Sequence, residues 1–363
     1  MISSPKLDNY LFIIQLFLLI LISPTFILGG FIPGVSIVLI SLIYIYFFFK
    51  HKLYKIIKKN YVIIFTVFNF VLILSSIFSD HTKLSLDYSL FYFRYGIFAL
   101  AIAYLFINNP KLLRYFLLSI FLVVFVFITD SILQFFSGSN ILDYPYDPHY
   151  RRLSGLFKDE QVLGLFLFKL SPLLLFYIHL IHKSNIYYDC LYLLTILLLF
   201  LVIILSGERT SLALFVLFIS VYFAFSKKFV FQNLIFIFLS GVLLISTFII
   251  KPDLYKRVVF ETIEQINTKN DISSITIFSP GHTKHYLTAI DIFNDNFVLG
   301  SGPKTFRVVC NEYPYDGCST HPHNFLLQLL SETGIIGTLV GIIIYIILIS
   351  ALIKYRPTNK NKY

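Results

Sequence analysis

Long apolar runs, separated by short polar stretches, follow one another along almost the whole of this chain. Runs such as LYLLTILLLFLVIIL show no alternation of polar and apolar positions. Most are about 18 to 22 residues long, which is enough to cross a bilayer as a helix. Helices are the default structure for such runs because backbone polar groups must be satisfied inside lipid. A β-barrel would show alternating segments of roughly 10 residues. The pattern therefore predicts an all-α polytopic integral membrane protein.

The apolar runs predict about ten transmembrane helices in a single membrane domain that covers residues 1–363. We expect the first run to be a retained span, because its flank has one lysine and SPTFILGG offers no small-residue cleavage site. The expected spans are residues 10–29, 32–49, 61–79, 88–107, 115–136, 161–181, 187–205, 211–225, 229–250 and 338–353.

Composition and charge distribution support this interpretation. Hydrophobic residues make up 57% of the chain and charged residues 13%, about half the charged share of a soluble domain. The net charge of +10 would suit nucleic acid, but its basic runs fall in alternate loops that hold few acids. The positive-inside rule places these loops and both termini in the cytoplasm. The basic residues of this set are Lys6, Lys50, Lys52, Lys55, Lys58, Lys59, Lys111, Arg114, Lys183, Lys227, Lys228, Lys354, Arg356, Lys360 and Lys362.

Two long segments belong to the opposite, external side. They cover about residues 137–160 and 251–337. The second is expected to contain helices over residues 253–267 and 281–293. A protein with its elaborate loops on one side is expected to act on that side.

The second external segment ends in HPHNFLLQLLSETGIIGTL, which predicts a short amphipathic helix before the last span. Pro322 suits the first turn of a helix, and Gly334 suits its end. We expect this helix to lie against the membrane domain without spanning it.

Within this segment, His323 is the candidate for chemistry. We expect it in the first helical turn, where the partial positive charge disfavours an imidazolium. A neutral imidazole with a pKa near ambient pH is a good general base. The competing interpretation makes His321 and His323 polar loop residues that cap the helix.

Two cysteines, Cys310 and Cys318, share the second external segment, whereas Cys190 falls at the cytoplasmic edge of a span. A pair on the oxidising side of a membrane favours a disulfide. A zinc site formed with His321 and His323 is the alternative, but its ligand spacing is not a standard one.

Several cations face outward or lie within predicted spans. Arg209 lies in the external turn SGERTS, and Arg152 precedes SGLF. Lys169 and Arg94 lie inside spans, where an ionisable residue usually faces a cavity or a partner. An ion pair with Asp130 is the structural alternative for Arg94 and Lys169, and Glu208 competes for Arg209. Outward cations around a membrane cavity suit a diphosphate.

The turn GSGPKTFR, residues 300–307, lacks the Walker spacing and a preceding strand. We therefore expect a tight turn in which Lys304 and Arg307 are merely basic. The sequence offers no support for ATP-driven chemistry, and no clustered acid motif for a metal.

At its histidine segment the chain resembles the bacterial O-antigen ligases. In that family a histidine and Asn, Ser or Gln are followed by nine residues and G-x-x-G before a terminal span. Here His323, Asn324, Gly334 and Gly337 fit that pattern. The late external loop, an arginine in a serine–glycine turn and R-x-S-G-x-F before a span are also similar, over roughly residues 60–350.

The resemblance implies metal-independent, inverting glycan transfer from undecaprenyl diphosphate, without a cofactor. The acceptor would be lipid A–core sugar in a ligase, a growing glycan in an O-antigen polymerase, or a protein hydroxyl in a protein O-oligosaccharyltransferase. His323 would help to deprotonate the acceptor, supported by His321, Asn324 and Arg94. Arg209, with Arg152 and Lys169 nearby, would hold the diphosphate.

One position departs from the family pattern. Family members commonly carry an arginine at the start of the helix before the G-x-G turn, where this chain has His282 and, two residues on, Lys284. Diphosphate binding by that helix would then fall to these two residues. The implied location is the bacterial inner membrane. A transporter or flippase is the alternative of another class, since buried charges among many spans also suit transport.

Overall fold

The computed structural model describes residues 5–25, 30–146, 152–158, 160–183, 185–226, 229–267 and 280–354. Helices dominate these residues, and the β-pairing within them is one isolated bridge between Ser139 and Pro145. The α-helices are α1 Pro5–Thr25, α2 Phe31–Lys50, α3 Asn60–Ile77, α4 Thr82–Ser89, α5 Phe93–Asn108, α6 Pro110–Ser137, α7 Leu163–Ile181, α8 Ile186–Leu205, α9 Arg209–Phe225, α10 Val230–Ile250, α11 Pro252–Tyr255, α12 Glu261–Asn267, α13 Pro280–Asp295, α14 Phe306–Val309 and α15 Phe325–Lys354.

The membrane-protein class is confirmed. Among the described residues, nine helical segments are long and apolar enough to cross a membrane. The remaining predicted span corresponds to α9, an apolar helix of 17 residues. The protein is therefore an all-α, multi-pass membrane protein.

Several span boundaries differ from the prediction. The chain expected to enter a span at residue 88 is already helical from Thr82, and a turn over residues 90–92 separates α4 from α5. Helix α6 begins at Pro110, five residues before the predicted start. Proline is favoured in the first turn because its missing N–H has no intrahelical partner there.

The chain forms two compact units. The first unit comprises residues 1–36 and 105–264. Its core is a continuous apolar cluster contributed mainly by α6, α7, α8, α9 and α10. Fully buried members include Phe127, Leu163, Tyr192, Ile203 and Phe215.

Within the first unit, Asp130 organises the start of the first external segment. Its carboxylate accepts hydrogen bonds from the backbone N–H of Ile141 (3.0 Å) and the side chain of Asn140 (3.3 Å). The structural alternative, an ion pair between Asp130 and Lys169, is therefore not what the described residues show. The buried acid is satisfied by local N–H donors, and Lys169 is exposed on α7.

The second unit comprises residues 37–104 and 265–363. Its α15 is two helices joined at Gly334, which has φ 63° and ψ −165°. The helix over residues 325–333 thus ends at Gly334, as the sequence predicts, and the last span follows. The N–H of Ile335, which opens that span, donates to the carbonyl of Phe297 (2.9 Å).

The turn over residues 300–302 completes this break. The N–H of Ser301 donates to the carbonyl of Ser331 (2.9 Å), and that of Gly302 donates to the carbonyl of Glu332 (3.0 Å). The Ser75 hydroxyl from α3 also donates to Glu332 O (3.1 Å). Carbonyls at the end of a helix have no intrahelical partner, so the turn supplies the donors they need. The turn is thus a structural partner of the broken helix.

Gly334→Ala should destabilise the second unit. A Cβ at Gly334 would overlap the carbonyl of Val298, and the backbone at φ 63° and ψ −165°, a region essentially restricted to glycine, adds roughly 1–3 kcal/mol for an L-residue. The midpoint of thermal unfolding in detergent should fall well below that of the wild-type protein. The matched control is Gly241→Ala in α10, where a Cβ meets nothing within 4 Å and alanine favours the helix. Equal midpoints for the two variants would contradict this account of the break.

Candidate functional site

The histidine segment enters α15 through an asparagine cap. The side-chain oxygen of Asn324 accepts hydrogen bonds from the backbone N–H groups of Leu326 (3.0 Å) and Leu327 (3.2 Å). The helix begins at Phe325, so the expectation that Pro322 lies in the first helical turn is wrong. Asparagine is a strong cap because its oxygen satisfies N–H groups that lack an intrahelical acceptor. Asn324 therefore fixes where the helix starts.

His323 precedes the helix and does not lie in its first turn, which corrects the sequence expectation. Its backbone has φ 55°, a left-handed conformation that is uncommon for a residue other than glycine. Such conformations persist when their surroundings hold them, and they often occur at functional sites. Here the cap that follows and the packed loop before it hold His323.

Four imidazoles form what we call the histidine cluster: His282, His285, His321 and His323. The ring centroid of His323 lies 4.3 Å from that of His321, 5.2 Å from that of His285 and 5.5 Å from that of His282. His282 and His285 project from the first turns of α13, one turn apart. The structure thus brings together His321, His323 and His282 from the sequence prediction, and adds His285.

Partial burial is the main reason why the pKa of His323 is lowered to about 4, and the charges of His321, His285 and His282 lower it further. Burial also lowers the pKa of His321, with additional contributions from Arg307 and His285. The helix dipole was the cause expected from the sequence, whereas burial and neighbouring imidazoles are the causes in the structure. At neutral pH His323 is a neutral imidazole with a lone pair that can accept a proton.

A packed loop supports the histidine cluster. Cys310 and Cys318 are joined by a disulfide with a Cα–Cα distance of 5.0 Å. The hydroxyl of Tyr313, inside the loop, donates to the carboxylate of Asp295 at the end of α13 (2.7 Å). Beneath it, an apolar cluster that includes Phe306 anchors both the loop and α13.

The disulfide removes two of the four ligands that the zinc alternative requires. Among the described residues, no group of three or more His, Cys, Asp or Glu side chains has an arrangement that could hold a metal ion. The cluster is therefore best considered as a set of proton-accepting groups.

A second set of polar groups, the arginine group, lies in the first unit and consists of Arg152, Arg209 and Arg257. Arg209 opens α9 and donates to the hydroxyl of Thr262 (3.1 Å). The Nε of Arg257 donates to the carbonyl of Gly207 (3.0 Å), in the turn that precedes α9. Arg257 lies in a π-helical turn, Lys256–Phe260, and such turns frequently occur at functional sites.

Glu208, the alternative acidic partner for Arg209, has its carboxylate bonded elsewhere. Its carboxylate accepts hydrogen bonds from the backbone N–H groups of Gly164 (2.7 Å) and Leu165 (3.0 Å) at the start of α7, and from the hydroxyl of Ser211 (2.7 Å). A carboxylate is stabilised there by the N–H groups of the helix terminus. Glu208 thus joins α7 to the turn that carries Arg209.

Arg152 is the least satisfied member of the arginine group. Its buried Nε has no hydrogen-bond partner among the residues that the structure describes. Burial lowers the pKa of this guanidinium; Glu208 opposes the shift and Arg209 adds to it. A cation that is partly desolvated beside another cation would be stabilised by an anionic ligand.

The other candidate cations are more dispersed. Arg94 donates to the hydroxyl of Tyr95 (3.1 Å), and its guanidinium lies 5.0 Å from that ring centroid. Lys284 lies in α13, between His282 and His285, and is partly buried. Lys304 lies 5.6 Å from the ring centroid of Tyr88. The positions of these three cations are weaker indications of an anion-binding site than those of the arginine group.

A cavity of about 290 Å³ runs beside the helix over residues 325–333. Aromatic rings, including Tyr88, Tyr92 and Phe325, form its walls, and Gln328 and Glu332 form a polar edge. The amide of Gln328 donates to Glu332 (3.2 Å). The last span contributes apolar positions such as Ile344. The cavity offers an apolar space next to the helix that His323 precedes.

Fold and geometry first define a class: a polytopic helical membrane protein with an imidazole cluster at the start of a broken helix. Residues 194–342 match the model of the O-antigen ligase family. This match supports an O-antigen ligase family assignment for that segment, and it supports, in general terms, enzymatic glycan transfer of the ligase or polymerase type with a lipid-linked glycan and a glycan acceptor. No curated protein matches the chain significantly.

The pairing of Cys310 with Cys318 leads to a labelling prediction. Alkylation of the unfolded, non-reduced protein should modify Cys190 alone, because Cys190 is an exposed free thiol. Reduction before alkylation should give three labels, as counted by mass spectrometry. Three labels without reduction would show that Cys310 and Cys318 are not paired.

A second prediction concerns the titration of His323. Since its pKa is about 4, the reactive neutral form should persist as pH falls from 7.5 to about 5 and disappear only around pH 4. An unperturbed histidine would already be half protonated near pH 6.5. The rate of diethyl pyrocarbonate modification, followed for the peptide that contains His323, measures this. A midpoint at or above 6.5 would show that the cluster leaves His323 unperturbed.

Proposed function

We propose that this protein transfers a glycan from undecaprenyl diphosphate to an acceptor hydroxyl, in the manner of an O-antigen ligase. The observation that carries this proposal is the neutral His323 held within the histidine cluster, inside the segment that matches the ligase family. Arg209 and Arg257 also lie inside that segment.

In this reaction His323 acts as the general base. It accepts the proton of the acceptor hydroxyl while the oxygen forms a bond to the anomeric carbon. The bond from that carbon to the diphosphate breaks, and its electron pair leaves with the carrier. Attack from the opposite face inverts the anomeric centre. General-base catalysis of this kind contributes roughly 10²–10⁴-fold to a rate.

The arginine group provides the charge that the leaving group needs. Guanidinium groups bind phosphate oxygens bidentately, and Arg152 has a buried nitrogen without a partner. Arg209 and Arg152 bind the diphosphate, with Lys169 nearby and Arg257 as a further cation. His282 and Lys284, on α13, are further candidates for diphosphate binding. His321 and Arg94 have supporting roles, and Asn324 holds the helix start. A lipid diphosphate is a good leaving group, so the reaction requires no metal.

The membrane location follows from the substrate. The isoprenoid tail of the carrier remains in lipid, and the apolar cavity beside the helix over residues 325–333 suits a hydrocarbon chain or acceptor at that place. The basic loops support a topology with both termini in the cytoplasm, and in that topology the histidine cluster faces the periplasm. We prefer the ligase reaction, with lipid A–core as the acceptor, although the sequence by itself does not separate ligase from polymerase.

Two other activities within the family share the same chemistry. An O-antigen polymerase would use a growing glycan as the acceptor, and a protein O-oligosaccharyltransferase would use a protein hydroxyl. Transport is the alternative of another class, and the broken helix at Gly334 favours it, since broken helices also form transporter binding sites. A transporter would leave the glycosidic bond to the carrier intact.

The test measures glycan transfer by the purified protein in detergent or nanodiscs. The reaction contains lipid-linked glycan and acceptor, a chelator is added, and ATP is left out. His323→Ala should lower kcat by roughly 10²–10⁴-fold, since it removes the base. Arg209→Ala should lower it by about 10²–10³-fold, since it removes charge stabilisation of the leaving group. Product is measured by mass spectrometry of the acceptor.

Matched controls are His81→Ala in the second unit and Lys256→Ala, an exposed cation next to Arg257. Both should retain wild-type turnover, and all variants should keep the wild-type unfolding midpoint. Normal turnover by both His323→Ala and Arg209→Ala would overturn the assignment of these residues. Movement of intact lipid-linked glycan across vesicles without transfer would favour transport.

A further inference from the structure

We propose that His285 is the proton partner of His323: it positions that imidazole and receives the proton that His323 takes from the acceptor. This inference rests on the proposed glycan transfer and assigns a role to a residue outside it. Three observations carry it: the fixed tautomer of His285, the constrained loop that fixes it, and the distance between the two rings.

The tautomer of His285 follows from its hydrogen bond. Its Nδ1 lies 2.7 Å from the carbonyl oxygen of Gly317. A carbonyl can only accept, so Nδ1 carries the hydrogen, and in the neutral ring Nε2 keeps the lone pair. A histidine whose one nitrogen is fixed by a carbonyl offers its other nitrogen in a defined state, and this is a recurrent arrangement for imidazoles that handle protons.

The carbonyl of Gly317 is itself held in place. Gly317 precedes Cys318, which the disulfide joins to Cys310. A Cβ at Gly317 would overlap the carbonyl of Lys284 and the hydroxyl of Thr288, so only glycine allows the loop to pack this closely on α13. The loop therefore holds its carbonyl against the helix that carries His285.

The rings of His285 and His323 are close enough to exchange a proton. Their centroids lie 5.2 Å apart, with 46° between the ring planes, which is within reach of a hydrogen bond directly or through one water. The proton leaves the acceptor oxygen for His323 and passes to Nε2 of His285, which then releases it to solvent, while Nδ1 keeps its hydrogen bonded to Gly317 O. No oxidant or further reactant is required, and both rings return to the neutral state.

Other charged and titratable groups around His323 also affect its pKa. His282 from α13 and His321 from the same segment face it, and Arg307 acts on His321. His282 is exposed. His285 has a ring nitrogen bonded to a backbone carbonyl, whereas Nδ1 of His321 pairs with the adjacent Thr320 hydroxyl (2.9 Å).

The test compares His285→Asn with His285→Ala. An asparagine amide can still donate to Gly317 O but has no nitrogen that accepts a proton. If His285 exchanges protons with His323, His285→Asn should lower kcat by about 10–100-fold with KM little changed, and added imidazole should restore activity to His285→Ala. If His285 only anchors the loop, His285→Asn should match the wild type, and this result would overturn the proposal. Ile290→Ala, an exposed position on the same helix, is the control for folding.

A second readout does not depend on transfer activity. Removing His285 removes one positive neighbour, so His323 in His285→Asn should protonate at a higher pH than in the wild type. Its modification by diethyl pyrocarbonate should be slower near pH 5 and unchanged near pH 7.5. A shifted profile supports the coupling of the two rings even if the wild-type protein fails to transfer any glycan, which would count against the proposed function alone. An unchanged profile would overturn the coupling.

Discussion

The break in α15 at Gly334 is the constraint on which the second unit depends. A helix that stops near the membrane leaves carbonyl groups without partners, and such groups are costly away from water. The turn over residues 300–302 donates to the carbonyls of Ser331 and Glu332, and Phe297 accepts from the first N–H of the last span. The second glycine of the G-x-x-G pattern is also explained by close packing, because a Cβ at Gly337 would overlap the Thr333 side chain.

This constraint leads directly to the chemistry. With its end fixed at Gly334 and its start capped by Asn324, the short helix holds His323 at a defined place. Helix α13 and the disulfide-closed loop then bring His282 and His285 beside it. Four imidazoles in one small volume keep His323 neutral, because burial and mutual repulsion disfavour its protonated form. The supporting structure therefore determines the protonation state of His323.

The sequence was a good guide where the signal was local. Apolar runs predicted the membrane helices, and Gly334 correctly predicted the end of the histidine helix. It was a poorer guide to contacts between distant segments. Pro322 suggested a helix start that the Asn324 cap overrides, and local N–H donors satisfy Asp130, for which an ion pair was the alternative. His282 and His285, one helical turn apart, could have indicated a shared face, whereas the bond from His285 to Gly317 and that from Arg257 to Gly207 depend on tertiary folding.

The most direct measurement is an electron cryo-microscopy structure with a non-transferable undecaprenyl-diphosphate sugar analogue bound. If one substrate is served by both the histidine cluster and the arginine group, Arg209 will contact the diphosphate. His323 will then lie where a hydroxyl about 3–3.5 Å from the anomeric carbon can donate to it. A donor bound with its diphosphate away from Arg209, or with its anomeric carbon out of reach of His323, would contradict the account.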